Sequence, residues 1–215
     1  MSHNGSLDEE TTQHISKARV AFGRLTNRLW KSHDVKLNTK ISVYKAAVLS
    51  ALLYGCETWT TYRKVIRQLE AFHMRCLRRI CNIRWQDRVP NTAILEKCGI
   101  TSIEAYLIKS QLRWSAYGVR MDDTRIPQAL FYGQLKGYSR PTGRPRMRYR
   151  DCLKSNMKKC GLNSTTWEAD ALNRSSWRSL CHSGASKFEN DRITEAKRKR
   201  DARKSQSSTS DALYL

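Results

Sequence analysis

The chain has 215 residues and a mass of 24.9 kDa, enough for one large domain or two small ones. Forty Lys and Arg against nineteen Asp and Glu leave a net charge of +21 and a pI near 10.1, which makes a polyanion such as nucleic acid or an anionic surface the expected counterpart. Hydrophobic residues at 40%, with six Trp, nine Tyr and four Phe, exclude disorder throughout, and the longest apolar run, Ala46 to Tyr54 with Ser50 inside it, falls short of the ~18 residues a membrane span needs.

Residues 1–12 are polar and acidic and read as a disordered tail, without the apolar core of a secretion signal or the Arg-rich face of a transit peptide. Residues 13–135 read as a helical domain, and the fold class is mainly α. A helix from about Asn38 to Tyr54 is apolar around most of its circumference and is stopped by Gly55, which places it in the centre. In the next helix Tyr62, Val65, Ile66, Leu69, Phe72, His73, Cys76, Leu77 and Ile80 recur at spacings of three and four, while Arg63, Lys64, Arg67, Arg75, Arg78 and Arg79 fall largely elsewhere. One face packs and the other is cationic. Asn91 and Gly99 bracket a shorter helix. Thr101-Ser102-Ile103-Glu104 has the pattern of a capping box and opens a helix with Ile103, Tyr106, Leu107, Trp114 and Met121 near one side, and Pro127 starts another.

Residues 136–150 carry six basic side chains and no acidic one, with Gly and Pro spacing that forbids regular structure, and read as an exposed basic linker. Residues 151–204 read as a small, basic C-terminal helical segment with short pieces at Asp151–Cys160, Trp167–Leu172, Trp177–Cys181 and Ile193–Lys204; residues 205–215 read as a disordered tail. Residues 136–215 hold 19 basic and 8 acidic side chains, against 21 and 11 in the longer first part, so the second part is the denser polycation. Seven cysteines, an odd number, fit reduced thiols in cytosol or nucleus better than a disulfide framework.

Several blocks in order carry a resemblance: Ile15 to Leu25, Leu52-Leu53-Tyr54-Gly55-Cys56-Glu57-Thr58-Trp59, Met74-Arg75-Cys76-Leu77-Arg78-Arg79-Ile80, Arg113-Trp114 to Met121, Arg125-Ile126-Pro127, and Gly143 to Asp151. Together they resemble the C-terminal part of the reverse transcriptase of LINE-type (non-LTR) retrotransposons, the stretch that follows the polymerase palm, over roughly residues 13–180. The resemblance implies a bundle-like helical thumb that grips RNA template and primer, or their hybrid, beside a palm. In that family the metal-binding aspartates lie upstream of the block matching Ile15 to Leu25. The palm is therefore expected to be missing, the chain to be a fragment, a degenerate insertion product or a truncated reading frame, and polymerase activity and Mg²⁺ to belong to the parent protein. One departure is Ala116-Tyr117, where family members commonly carry Gly-His.

The residues themselves suggest how nucleic acid would be held. Arg75, Arg78 and Arg79 offer one cationic face. Arg84 and Arg88 flank Trp85 in a polar turn, where the indole can stack on an unpaired base. Gly143-Arg144-Pro145 is the core of a minor-groove hook, with Arg140 before it; alternation from Arg144 through Arg146 and Arg148 to Arg150 in an extended chain would set four guanidinium groups on one side, a phosphate track. Lys197-Arg198-Lys199-Arg200 fits nuclear import, nucleic-acid contact or a solvated helix end. Asp122-Asp123 imitates a polymerase metal box but follows a helical stretch and precedes a turn, outside the hairpin such a box requires. No metal site, cofactor or catalytic residue is assigned: His73, Cys76, Cys81, Cys152 and Cys160 have no zinc spacing, and Cys181-His182 lacks a placeable base and orienting acid. The expected partners are RNA, DNA or an RNA–DNA hybrid and an upstream palm, in nucleus or cytoplasm, with no membrane; the rival reading is a transposon relic or domesticated structural or protein-interaction module.

Overall fold

A computed structural model describes residues 7–133, 142–143 and 146–212. Ten α-helices and short π and 3₁₀ turns account for its regular structure, with no strand among the described residues. The first helix, α1 (Leu7–Arg24), begins inside the segment read as a tail, and Asp8, Glu9 and Glu10 in its first turn explain why: three carboxylates sit at the positive end of the helix dipole. It buries Thr11, His14, Ala18 and Phe22, one per turn.

The chain then makes a π turn at Thr26–Trp30. Trp30 stacks on Phe22 at 4.9 Å, and its Nε1 donates to the Phe22 carbonyl at 2.8 Å. The expected central helix is α2 (Leu37–Val43), a π segment (Tyr44–Leu49) and α3 (Ser50–Leu52) in continuous succession. It lies against α1, and Tyr44, Val48 and Leu52 are wholly buried. The cationic helix is α4 (Arg63–Ile80), whose buried set matches the periodicity with Met74 added; Tyr62 stays outside at 40% exposure.

The shorter helix α5 (Asn91–Cys98) ends at Gly99 with φ +56°, and α8 (Tyr149–Cys160) ends at Gly161 with φ +70°, left-handed stops that favour glycine. Helix α6 (Ile103–Val119) ties the protein together. Ile103 and Leu107 enter a first core with α1 to α5, whereas Ile108, Leu112 and Ala116 enter a second with Phe131, Met157, Trp167, Trp177 and Cys181. The second core is completed by α7 (Ile126–Tyr132), α8, α9 (Trp167–Leu172) and α10 (Arg174–Ala212). Met121 falls beyond the end of α6.

Besides the start of α1, three element boundaries differ from the sequence reading. First, α8 begins at Tyr149, inside the expected linker. Second, α10 is one 39-residue helix where two short pieces and a disordered tail were expected. Its apolar positions are sparse, and it is held by packing along α6: Trp177 Nε1 donates to the Leu112 carbonyl, and Glu189 receives both the backbone N–H and the hydroxyl of Ser102. These contacts run the two helices antiparallel. Gly184 lets α10 close on α8 as well, because a Cβ there would meet Cys160 Cβ of α8 at 2.9 Å. Third, the α6 N-terminus is not a local capping box. Ser102 is the cap, receiving the Ala105 N–H, while Glu70 takes the Ile103 N–H from α4 and Glu104 turns away to pair with Arg63 and Lys159.

Candidate nucleic-acid interface

Arg75 and Arg79 lie exposed on α4, and Arg78 is turned to another use. Its guanidinium donates to the Val89 carbonyl at 2.7 Å and to Asn91 Oδ1 at 2.9 Å, fastening the far end of the loop that follows α4. That loop leaves the helix through Asn82 at φ +53°, and Asp87 closes its single 3₁₀ turn by accepting the Arg84 N–H at 2.7 Å. Arg88 at φ +48° ends the turn in a conformation that costs a non-glycine residue of order 1 kcal/mol. On this pinned loop Trp85 is 82% exposed, between exposed Arg84 and Arg88. The other tryptophans are employed inside: Trp30, Trp59, Trp167 and Trp177 are buried, and Trp114 packs against the second core.

Of the linker arginines, Arg140 and Arg144 lie outside the described residues. Arg146 and Arg148 are exposed, but the expected four-guanidinium row breaks at Tyr149, where α8 begins. Arg150 instead sits in the first turn of α8, its guanidinium 5.3 Å from the Tyr132 ring centre and 5.9 Å from that of Phe131. The end of the linker is anchored to the body: Met147 N–H donates to Tyr62 Oη, and the Tyr149 hydroxyl donates to the Glu57 carbonyl. The run Lys197 to Arg200 lies within α10. Arg198 and Lys199 both pair with Glu195, Arg200 reaches Thr92 Oγ1 at 3.3 Å, and Lys197 is exposed. Asp122 and Asp123 are exposed in the turn after α6, where Asp122 accepts from the Thr124 N–H and hydroxyl and Asp123 from Gln128. Among the described residues no three His, Cys, Asp or Glu side chains converge as a metal site, and the seven cysteines are free thiols.

A further group of basic side chains escaped the sequence reading. Lys109 and Arg113 follow one another at four residues on α6, and Arg174, Arg178 and His182 do so on α10. The antiparallel pairing brings the two rows together along a groove with two adjoining cavities. One, of 430 Å³, is lined by Lys109, Arg113, Arg178, His182 and three serines of α10; the other, of 380 Å³, has Arg113, Tyr117, Arg120, Arg174 and Arg178 on its walls. Glu57 is the carboxylate on the second wall, and Arg120 donates to the Ala171 carbonyl. The i, i+4, i+8 spacing from Arg174 to His182 was a usable signal. It was lost because the segment was read as a short helix separated from its continuation.

Glu189 is buried, yet a two-pronged hydrogen bond from Arg192 and those from Ser102 hold its carboxyl below the usual range; Glu70 is pushed up by burial, which the Ile103 N–H and the charge of Arg192 offset only in part. His73 is wholly buried on Tyr44, and burial lowers it to about 4. Cys81 is the half-exposed thiol. Its Sγ lies 3.2 Å from that of Cys98, and the hydrogen bond from Cys98 holds it down near 7, helped by Lys97 and Lys40.

No family model and no solved structure matches the chain. It is similar to an uncharacterised transposon-derived protein of Caenorhabditis elegans, 24% identical over 183 residues, with 82% of this chain and 64% of that protein covered. The chain thus spans less than two thirds of its relative's length. The similarity relates this helical, strongly basic protein to transposon-derived sequence.

Proposed function

We propose that the chain is a nucleic-acid-binding protein of transposon origin, corresponding to the thumb region of a LINE-type reverse transcriptase. It holds template or primer largely through phosphates and has no polymerase activity on its own. The observation that carries the reading is Trp85, 82% exposed on a loop fastened by Arg78 and flanked by Arg84 and Arg88. An aromatic face with cations on both sides serves stacking and phosphate contact together, and leaving it in water has no packing benefit. Arg75, Arg79, Arg146 and Arg148 extend the positive surface, and an intracellular site of action, in nucleus or cytoplasm, belongs to the same proposal.

The test is fluorescence anisotropy of the purified chain with labelled RNA, single-stranded DNA, duplex DNA and RNA–DNA hybrid across a salt series. At about six to ten phosphate contacts the affinity falls ~10³–10⁵-fold between 50 and 200 mM salt. Trp85→Ala weakens single-strand binding about 5- to 150-fold, the equivalent of ~1–3 kcal/mol per stacked base. Binding that ignores salt would overturn the reading and favour a protein-interaction module. Primer extension with Mg²⁺ or Mn²⁺ tests the enzymatic half: incorporation abolished by Asp123→Ala would refute the absence of polymerase activity.

A further inference from the structure

We infer that the groove between α6 and α10 is a site for one strand of nucleic acid, with Lys109, Arg113, Arg178 and His182 holding successive phosphates and Tyr117 carrying an adjacent base. The inference rests on the proposed nucleic-acid function but concerns residues apart from the Trp85 loop. The register is set by the contacts of Trp177 with Leu112 and of Glu189 with Ser102. It places Arg113 beside Arg178, residues that line both cavities, and Lys109 beside His182 one turn away. Four residues of helix advance about 6 Å, a step comparable to that between neighbouring phosphates of a strand. Among the described residues no carboxylate lies within 4 Å of Lys109, Arg113 or Arg178, whereas elsewhere Arg63, Lys64, Lys159, Arg192, Arg198 and Lys199 each have one. Glu57 is the one carboxylate on these walls and pairs with none of them, so the positive charge gathered here exceeds the negative and calls for an anion.

The geometry selects a single strand. Arg113 and Arg178 line both cavities of a single groove, which offers room for one run of phosphates; a duplex presents two, separated by grooves of about 6 and 12 Å. Tyr117, 53% exposed, stands on the wall of the second cavity, where an unpaired base following the phosphates can lie against its ring. The first turn of α10 borders the same cavity through Arg174, adding the positive end of a long helix.

The test uses the full chain with a labelled single-stranded oligonucleotide and its duplex, titrated at several salt concentrations. Neutralising Arg113→Gln together with Arg178→Gln should reduce the log–log salt slope by about 1.4, from ~0.7 per phosphate contact, and lower single-strand affinity about 25-fold at 0.1 M salt. Arg113→Lys together with Arg178→Lys should keep the wild-type slope, which separates lost contacts from a folding defect. Tyr117→Ala should weaken binding about 5- to 150-fold without changing the slope. An unchanged slope in the Gln variant, or tighter binding of the duplex, overturns the groove assignment. If Trp85→Ala abolishes binding and the groove variants do not, the function stands and the groove falls. If the wild-type chain shows no salt-sensitive binding, both fall.

Discussion

The buried pair Tyr44–His73 makes stability depend on pH in a direction that can be worked out. The Tyr44 hydroxyl lies 2.8 Å from His73 Nδ1, both residues are wholly buried, and Nε2 has no hydrogen-bond partner. Protonation would place a cation against that apolar wall, so burial lowers the imidazole to about 4, with the Thr101 backbone and Glu189 offsetting only part of the effect. In the unfolded chain the same ring titrates near ~6.5. Between those values the unfolded state binds a proton that the folded state refuses, so stability is full above pH ~6.5 and declines as the pH falls toward 4. A displacement of roughly 2.5 units corresponds to about 3 kcal/mol. Glu70 and Glu189 also shift on folding with opposite signs, the one raised by burial and the other held down by Arg192 and Ser102, so the informative quantity is a difference between proteins. His73→Asn retains a partner for Tyr44 and has nothing to titrate. Urea unfolding followed by far-ultraviolet circular dichroism at pH 7, 5.5 and 4 should show the wild type losing about 3 kcal/mol more than the variant across that interval. Parallel loss in both would mean that water or a carboxylate reaches the ring, and the argument from burial would fail.

Other consequences follow from single contacts. Arg78→Ala removes both hydrogen bonds that fasten the Trp85 loop; amide exchange across residues 82–91 should accelerate about tenfold or more, at ~1–3 kcal/mol for the lost charged donors, with the α4 core unaffected, and unchanged exchange would remove Arg78 from its positioning role. Glu189→Gln disturbs the charged pair with Arg192 and the acceptor for Ser102, and thermal unfolding should show a loss of about 2 kcal/mol, below the ~3–5 of a fully buried pair because Arg192 retains 27% exposure. Its lowered carboxyl contributes stability at neutral pH that disappears as the pH falls through its folded value, and in Glu189→Gln that acid-side loss should be absent. Iodoacetamide at neutral pH should alkylate Cys81 first, since burial pushes Cys56 and Cys160 to about 11 and Cys76 and Cys181 to about 12; mass mapping that finds one of those ahead would refute the order.

How legible these features were depends on whether their cause is local. The face of α4 was readable because nine apolar positions at helical spacing admit one packing side, and the left-handed glycines at 99 and 161 mark helix ends wherever the chain goes afterwards. The cap of α6 was misread because its partners, Glu70 and Glu189, are 33 and 87 residues away in sequence. The same distance hid α10. Low apolar content suggested fragments, whereas Trp177, Cys181 and Ala185 recur every four residues and find α6 only in three dimensions. Arg78 looked interchangeable with Arg75 and Arg79, and no pattern along α4 could show that Val89 and Asn91 fold back onto it. Trp85 was singled out by its neighbours Arg84 and Arg88, and the structure places it in solvent.

The net charge of +21 becomes more specific once the acids are located. Glu70 and Glu189 serve the α6 N-terminus, Glu104 joins Arg63 of α4 to Lys159 of α8, and Glu195 occupies Arg198 and Lys199. Glu70, Glu104 and Glu189 sit at helix junctions, where they satisfy donors that packing brings together, whereas Glu195 pairs with its neighbours on the exposed face of α10. These acids are thereby committed to partners, and exposed cations gather at Arg75 and Arg79, beside Trp85, and along α6 and α10. A uniformly basic surface would attract any polyanion at long range and grip none in particular. Segregation of this kind sets arginines beside an exposed aromatic in two separate places, Arg84 and Arg88 with Trp85 and Arg113 and Arg174 with Tyr117, and under the proposed function the charge would supply affinity while the ring would require an unpaired base. That combination is the physical reason to seek selectivity for single strands in this protein before selectivity for sequence.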